Sequence, residues 1–150
     1  LSETEKPEAP EVSFMSEVDG LARQSCDRLN AMGYEGGVSI DGLCVNPLPE
    51  QREEALSLIV ELCNNIERHG EPRRGSFELL ITFSVEALEI RQINDIASRD
   101  SLTDDERSGR GLTLHERRIR DMGGVLTTRS DDGVWVLYAR IPLKPASEEP

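Results

Sequence analysis

The sequence is poor in aromatic residues and in positive charge. Only 4% of its 150 residues are aromatic, whereas 37% are hydrophobic, so the core has to be built mainly from Leu, Ile and Val. There are 17 Lys and Arg residues against 29 Asp and Glu residues, which gives a formal net charge of -12. Nucleic acid and anionic membranes repel such a chain, so neither is expected as a direct partner.

Clustered cysteines and long apolar runs are also lacking. Cys26, Cys44 and Cys63 are odd in number and form neither a C-x-x-C pair nor a Cys/His cluster. This pattern predicts no disulfide framework and no zinc site, and it favours free thiols in a reducing cytoplasm. No apolar run reaches membrane-spanning length and the N-terminus has no signal-peptide pattern. We therefore expect a soluble, cytoplasmic chain, which is compatible with its having been cut from a membrane protein.

The distribution of apolar residues and chain breakers predicts one domain over 11–143, because the acidic, aperiodic ends 1–10 and 144–150 read as disordered tails. Within the domain we expect a helix, an edge strand, a long helix, two paired strands, a loop, a helix and two final strands, at 16–33, 36–44, 54–70, 76–85, 87–94, 95–109, 113–122, 125–129 and 134–143. This order predicts a two-layer α/β (α+β) sandwich, in which helices cover one face of a mixed, mostly antiparallel sheet.

The long helix has an unusual polar face. Glu61, Asn65 and Arg68 are spaced i, i+4, i+7 and therefore point the same way, opposite a continuous apolar face. Asparagine is a poor helix former, so the pair Asn64-Asn65 at mid-helix needs a reason. A row of carboxylate, amide and cation suits a phosphate-bound metal ion. The alternative is a solvated stripe that ends at a Gly70 cap.

The second candidate site is the junction Gly109-Arg110-Gly111-Leu112. It follows a polar stretch that reads either as a lid over a ligand or as a plain disordered insertion. Glycines let a backbone approach a ligand, and the helix predicted from Thr113 would present its first N–H groups there, which favours phosphate. Five arginines nearby strengthen the case for an anion: Arg107, Arg110, Arg117, Arg118 and Arg120.

Three segments together resemble the catalytic ATP-binding domain of bacterial sensor histidine kinases of the GHKL superfamily, especially its NarL-type branch. The segment ELCNNIERHG at 61–70 is similar to the N box of that family, and GRGLTLHERRIRDMGG at 109–124 is similar to its glycine-rich box. The closing VLTTRSDDGVWVLYARIPL at 125–143 is similar to its terminal hairpin. The resemblance implies the Bergerat-type ATP-binding fold, Mg-ATP as cofactor, and transfer of the γ-phosphate to a histidine.

The resemblance also implies roles for individual residues. Asn65 would coordinate Mg²⁺ on the ATP phosphates. Glu61 would orient or deprotonate the attacking group, and Arg68 and His69 would contact phosphate or brace the metal. The lid would run over 96–110, with Gly109, Arg110, Gly111 and Leu112 at the triphosphate. The histidine that accepts the phosphate belongs to a dimerisation segment of the parent kinase that the chain lacks, and a response regulator is an indirect partner.

The sequence departs from this family at the adenine-reading box, which is normally D-x-G-x-G. Here Asn94 stands at the Asp position, or Asp95 does if the register slips by one, and both glycines are missing. Leu114 also replaces a usual glycine, and His115 reads as a structural residue or a phosphate neighbour. Two alternatives to an active kinase therefore stay open: a degenerate regulatory module with the same fold, and a serine kinase of the anti-sigma-factor type.

Overall fold

The computed structural model describes residues 13–43, 47–69, 75–96 and 104–143, with His69 and residues 104–111 described by their backbone alone. The predicted tails at 1–10 and 144–150, the expected Gly70 cap and residues 97–103 of the expected lid lie outside these ranges. None of the helices in the described ranges is long and apolar enough to cross a membrane.

The described residues form three helices and five strands. In chain order they are α1 (Phe14–Ala31), β1 (Glu35–Gly42), α2 (Pro49–His69), β2 (Ser76–Phe83), β3 (Ala87–Asp95), α3 (Asp104–Asp121), β4 (Val125–Asp131) and β5 (Val134–Pro142). The strands form one sheet in the order β1-β2-β3-β5-β4, with β1 parallel to β2 and the other neighbours antiparallel. The predicted mixed, mostly antiparallel sheet with β1 at its edge is confirmed.

One face of the sheet carries the core. Burial alternates along β2 and β3, as expected when side chains of period two meet helices on one face only. On β5, Leu137, Ala139 and Ile141 are fully buried, while residues between them are partly exposed. α2 supplies the opposite layer with six hydrophobic residues that are at most 3% exposed: Ala55, Leu58, Ile59, Leu62, Cys63 and Ile66. The apolar face predicted for the long helix is therefore confirmed.

Two helices begin earlier than predicted. α1 begins at Phe14 because Ser13, and not Ser16, is the N-cap: the Ser13 side chain accepts a hydrogen bond from the Ser16 backbone N–H at 3.1 Å. The earlier start puts Phe14 into the core, in an edge-to-face contact with Phe83. α2 begins at Pro49, since proline fits the first turn of a helix, where its missing N–H costs nothing.

The prediction that the third helix begins at Thr113 is wrong. α3 begins at Asp104, so residues 104–110 of the expected lid are helical and Gly109, Arg110 and Gly111 lie within the helix instead of before it. The sequence Thr103-Asp104-Asp105-Glu106 has the S/T-x-x-E form of a capping box, and acidic residues favour the first turn through the helix dipole. The N–H groups that would have faced a phosphate after Gly111 are thus part of a continuous helix.

Candidate functional site

The polar row predicted on α2 is formed. Arg68 Nη2 donates to Asn65 Oδ1 at 2.8 Å and lies 3.4 Å from Glu61 Oε2, so one guanidinium joins the amide and the carboxylate. Asn65 is only 8% exposed, whereas half of the Arg68 side chain is exposed. Asn65 is therefore not part of a solvated stripe, because its oxygen is held at the inner edge of the row.

The row lies at the same end of the sheet as Asn94. Tyr34 Oη donates to the carbonyl oxygen of Glu67 at 3.3 Å, which places the C-terminal turn of α2 beside the start of β1. The strand register aligns Glu35 with Ser76, and it aligns Asn94 with Phe77 on β2 and Trp135 on β5. The backbone of the sheet thus brings two sequence-predicted regions, the row on α2 and the end of β3, to one end of the domain.

Asn94 and Asp95 point to different places. Asn94 is 4% exposed and lies on the buried face, where its Oδ1 accepts a hydrogen bond from Gln92 Nε2 at 2.7 Å and its Nδ2 donates to the Asp95 carbonyl oxygen at 2.9 Å. The Asp95 carboxylate instead accepts hydrogen bonds from the Ser76 backbone N–H at 3.0 Å and the Ser76 hydroxyl at 3.1 Å. Asp95 therefore ties β3 to the start of β2, and Asn94 faces the layer of the helices.

The end of the sheet also opens into a cavity of about 470 Å³. It is lined by Glu35, Gly36, Ser76, Phe77, Glu78, Ile93, Asn94, Asp95 and Val134. Its volume is in the range of small-molecule pockets. Its three carboxylates, Glu35, Glu78 and Asp95, lie on the face of the sheet away from the helices, and they disfavour a phosphate there.

The larger cavity, of about 760 Å³, lies at the opposite end of the domain, between α2 and α3. Four of its seven lining residues are acidic and one is basic, in the set Glu50, Glu53, Glu54, Ser57, Arg118, Asp121 and Met122. A phosphate would be repelled there, so this cavity is not a candidate for the triphosphate.

The glycine-rich segment and the arginines are only partly described. Leu112 is 4% exposed and packs in the core, while the side chains of His69 and Arg110 lie outside the described set. Among the described arginines of this segment, Arg118 pairs with Glu54 at 3.5 Å and Arg120 pairs with Glu116 at 2.9 Å. Because these two cations are already paired with carboxylates, the predicted anion-binding site would depend on the remaining arginines of the segment.

His115 is a structural residue here, one of the two roles expected for it. Its Nδ1 lies 2.5 Å from Glu54 Oε2, and both side chains are buried at the contact between α3 and α2. No local sequence pattern predicts this contact, because the partners are 61 positions apart. The sequence feature that points to this contact is the position of Glu54 on the apolar face of α2, four residues before Leu58.

The oxygens of the row on α2 fit a cation. Asn65 Oδ1 and Glu61 Oε2 already converge on one positive group, the Arg68 guanidinium. Within the described ranges no cluster of three or more His, Cys, Asp or Glu residues could hold a metal by itself. This donor set suits Mg²⁺, which usually takes one or two protein ligands and completes its shell with phosphate oxygens and water.

Known structures share this fold. The catalytic domain of the histidine kinase ThkA matches with a TM-score of 0.59 and 16% identity over 85% of this chain and 94% of that chain. The histidine kinase domain of a blue-light-activated kinase from Erythrobacter litoralis matches with a TM-score of 0.63 and 14% identity, and the histidine kinase AdeS from Acinetobacter baumannii with 0.59 and 15%. The fold is that of a histidine kinase catalytic domain.

The two longer structures extend well beyond the match. This chain covers 65% of the Erythrobacter chain and 66% of AdeS, which themselves cover 87% and 89% of this chain. No protein-family model and no curated protein matches the sequence.

Proposed function

We propose that this chain is the ATP-binding catalytic domain of a two-component sensor histidine kinase, which transfers the γ-phosphate of Mg-ATP to a histidine on a dimerisation segment of its parent protein. The observation that carries the proposal is that the Asn65 and Glu61 oxygens converge on the Arg68 guanidinium. They do so at the same end of the sheet as Asn94, in a domain with the histidine kinase fold. The sequence resemblance at 61–70 and 109–124 supports the same assignment.

The residues of the row on α2 would have different roles in binding Mg-ATP and in phosphate transfer. Asn65 Oδ1 is a hard oxygen donor held at a fixed place on α2, and it would ligate magnesium together with the phosphates. Bound magnesium would supply charge neutralisation on the triphosphate. Arg68, which now donates to the Asn65 oxygen, would give up that bond and pair with a phosphate oxygen. Glu61 would accept the proton of the attacking imidazole or orient it, and His69 would brace the phosphates beside it.

The remaining roles concern the base and the far phosphates. Asn94 Oδ1 has a second lone pair beyond its bond to Gln92 and would accept from the exocyclic amine of adenine. Asp95 would contribute less, because its carboxylate is used by Ser76. The segment from Gly109 to Leu112 would close on the triphosphate, with Arg110 as the cation nearest to it in sequence.

One observation favours a second candidate, a regulatory module with the same fold that does not turn over ATP. The expected Asp-x-Gly-x-Gly box reads Asn94-Asp95-Ile96-Ala97-Ser98, and both polar atoms of the Asn94 amide already have protein partners. A box without glycines and with an occupied amide would bind adenine weakly.

Calorimetric titration of the chain with ATP in the presence and absence of Mg²⁺ tests the first candidate. We expect Mg-dependent heat for the unaltered chain, and stabilisation by about 2.7 kcal/mol when the nucleotide is at a hundred times its Kd. Asn65→Ala removes the proposed magnesium ligand and should weaken Mg-ATP binding by about tenfold or more, which corresponds to about 1.4 kcal/mol of binding free energy. Asn64→Ala is the matched control, because Asn64 is the adjacent residue of the same type outside the row, and it should bind normally.

The transfer step is tested with an added dimerisation segment. Acid-labile phosphate on that segment would identify a histidine kinase, acid-stable phosphate on a serine would favour the anti-sigma type, and neither product together with intact ATP binding would favour the regulatory module. Absence of Mg-ATP binding at millimolar nucleotide would overturn the proposal.

A further inference from the structure

A polar patch interrupts the buried face of the sheet at the end of β3. Leu88 and Ile90 continue the apolar face in the usual way, but the next two positions on that face are Gln92, which is fully buried, and Asn94. The Gln92 Nε2 group donates to Asn94 Oδ1 at 2.7 Å, and Asn94 Nδ2 donates to the Asp95 carbonyl oxygen at 2.9 Å. These two bonds fix which way the Asn94 amide faces, because only its oxygen can accept from Gln92 and only its nitrogen can donate to a carbonyl.

Two polar atoms of this region are buried without a partner among the described residues. They are the Gln92 side-chain oxygen, Oε1, and the Trp135 indole nitrogen, Nε1. Trp135 lies directly opposite Asn94 on β5, and Gln92 lies opposite Leu137, so Trp135 is the diagonal neighbour of Gln92 on the same face. One strand thus offers an unused acceptor and the adjacent strand an unused donor.

Buried polar groups without partners are rare in folded proteins and call for a ligand, an ion or a functional reason. An unused acceptor beside an unused donor is complementary to a heteroaromatic edge that carries a donor next to an acceptor. The Watson–Crick edge of adenine has this pattern, with the exocyclic amine as donor and N1 as acceptor. Asn94 adds a second acceptor on the same buried face of the sheet.

We infer that Gln92 and Trp135 determine the base specificity of the nucleotide site together with Asn94. Gln92 is a positioning residue for the Asn94 amide, and its free oxygen accepts a second hydrogen bond from the amine. The Trp135 N–H donates to the ring nitrogen beside that amine. The inference rests on the proposed function, since it assigns residues to the base of the nucleotide that the site is proposed to bind.

The test compares nucleotides that differ by one group. We measure Kd by calorimetry for ATP, for the triphosphate of purine riboside, which lacks the amine, and for 1-deaza-ATP, which lacks the ring acceptor. The unaltered chain should prefer ATP over each analogue by about three- to tenfold or more, the range expected for one neutral hydrogen bond. In Gln92→Met the preference over purine riboside triphosphate should fall by about threefold, the share of one neutral hydrogen bond, because Asn94 Oδ1 still accepts from the amine. In Trp135→Phe the preference over 1-deaza-ATP should fall to near unity.

Matched controls lie on the opposite face of the same two strands. Arg91→Met changes the neighbour of Gln92 on the exposed face of β3, and Tyr138→Phe removes a polar atom from the other face of β5, where Arg91 lies over the Tyr138 ring. Both controls should keep the full preference for ATP. Circular dichroism of all four variants establishes that they are folded, and a selectivity ratio is insensitive to a uniform loss of affinity.

The outcomes separate the inference from the proposed function. Selectivity that is the same in Gln92→Met, Trp135→Phe and the unaltered chain would overturn the inference while ATP binding stands. Failure of the unaltered chain to bind any nucleotide would overturn the proposed function, and the inference with it.

Discussion

The contact between α2 and α3 gives a sharp test of how this fold is held together. Glu54 and His115 are 3% and 7% exposed, and the Nδ1 and Oε2 atoms that join them are 2.5 Å apart. Arg118 approaches the other Glu54 oxygen at 3.5 Å, but half of its side chain is in solvent. His115→Leu keeps a similar volume and removes the close partner, which leaves a buried carboxylate with one distant cation.

Removing the hydrogen-bond partner of a buried polar group costs about 1–3 kcal/mol, and more for a charged group, because the group that is left stays desolvated. Glu54 keeps only the approach of Arg118, so a loss of about 3 kcal/mol is expected for His115→Leu. For a domain of this size, each kcal/mol moves Tm by about 2–4 °C, so a loss of about 6–12 °C should follow. Urea unfolding followed by circular dichroism measures the free energy of unfolding directly.

A double-mutant cycle at Glu54 and His115 tests whether this contact is the cause of the loss. Glu54→Leu together with His115→Leu removes both polar groups and should recover most of the loss, giving a coupling of about 2 kcal/mol or more. Glu116→Ala is the matched control on the same helix, since its pair with Arg120 is largely exposed and should contribute about 0.5 kcal/mol or less. A cost below about 1 kcal/mol for His115→Leu, or a double variant as unstable as the sum of the singles, would contradict the buried-pair account.

Two further predictions concern the core and the backbone. Burial raises the pKa of the Cys63 thiol above its ordinary 9.0, so the unfolded chain loses this proton first as the pH rises. The free energy of unfolding should therefore fall above about pH 9. Urea unfolding from about pH 8 to about pH 10.5 should show a shallower fall for Cys63→Ala than for the unaltered chain, and an equal fall in both would count against a protonated core thiol. Gly124→Ala would place a Cβ 2.1 Å from the Arg140 carbonyl oxygen and should lower stability by about 1–3 kcal/mol. A Cβ at Gly20 in α1 would meet no atom within 4 Å beyond its chain neighbours and its own helix backbone, so Gly20→Ala should raise stability by about 0.5–1 kcal/mol. The Tm measured by thermal unfolding should therefore fall in Gly124→Ala and rise in Gly20→Ala, and equal shifts in the two variants would refute the steric account.

The parts of the fold that were predictable from sequence are those that local periodicity encodes. Alternation along 134–143 is enough to put Trp135, Leu137, Ala139 and Ile141 on one face. Helical spacing predicted both the apolar face of α2 and the row from Glu61 to Arg68. Period two and period 3.6 act within one element, so no knowledge of the partner element is needed.

The parts that were missed depend on contacts between elements. The hydrogen bond between Gln92 and Asn94 was not anticipated, because period two puts both residues on the apolar face of β3 but does not predict which polar atoms their side chains contact. The contact between Glu54 and His115 joins two helices through their packing, and neither residue has a local pattern that announces it. Both polar contacts lie in the core, where the apolar pattern alone predicts hydrophobic residues.

The start of α3 is the element in which local signals compete most directly. Gly109 and Gly111 each cost a helix interior about 1 kcal/mol relative to Ala, which is why the segment reads as a loop. The acidic residues at 104–106 and the capping-box sequence favour the helix by a similar amount, about 0.5–2 kcal/mol for the cap. Helix and open backbone are therefore close in free energy over 104–111, and a ligand that prefers the open form by about 2 kcal/mol would be enough to reverse the balance. The same two glycines account for the wrong prediction of the helix start, and under the proposed function they would let a bound triphosphate set the conformation of this segment.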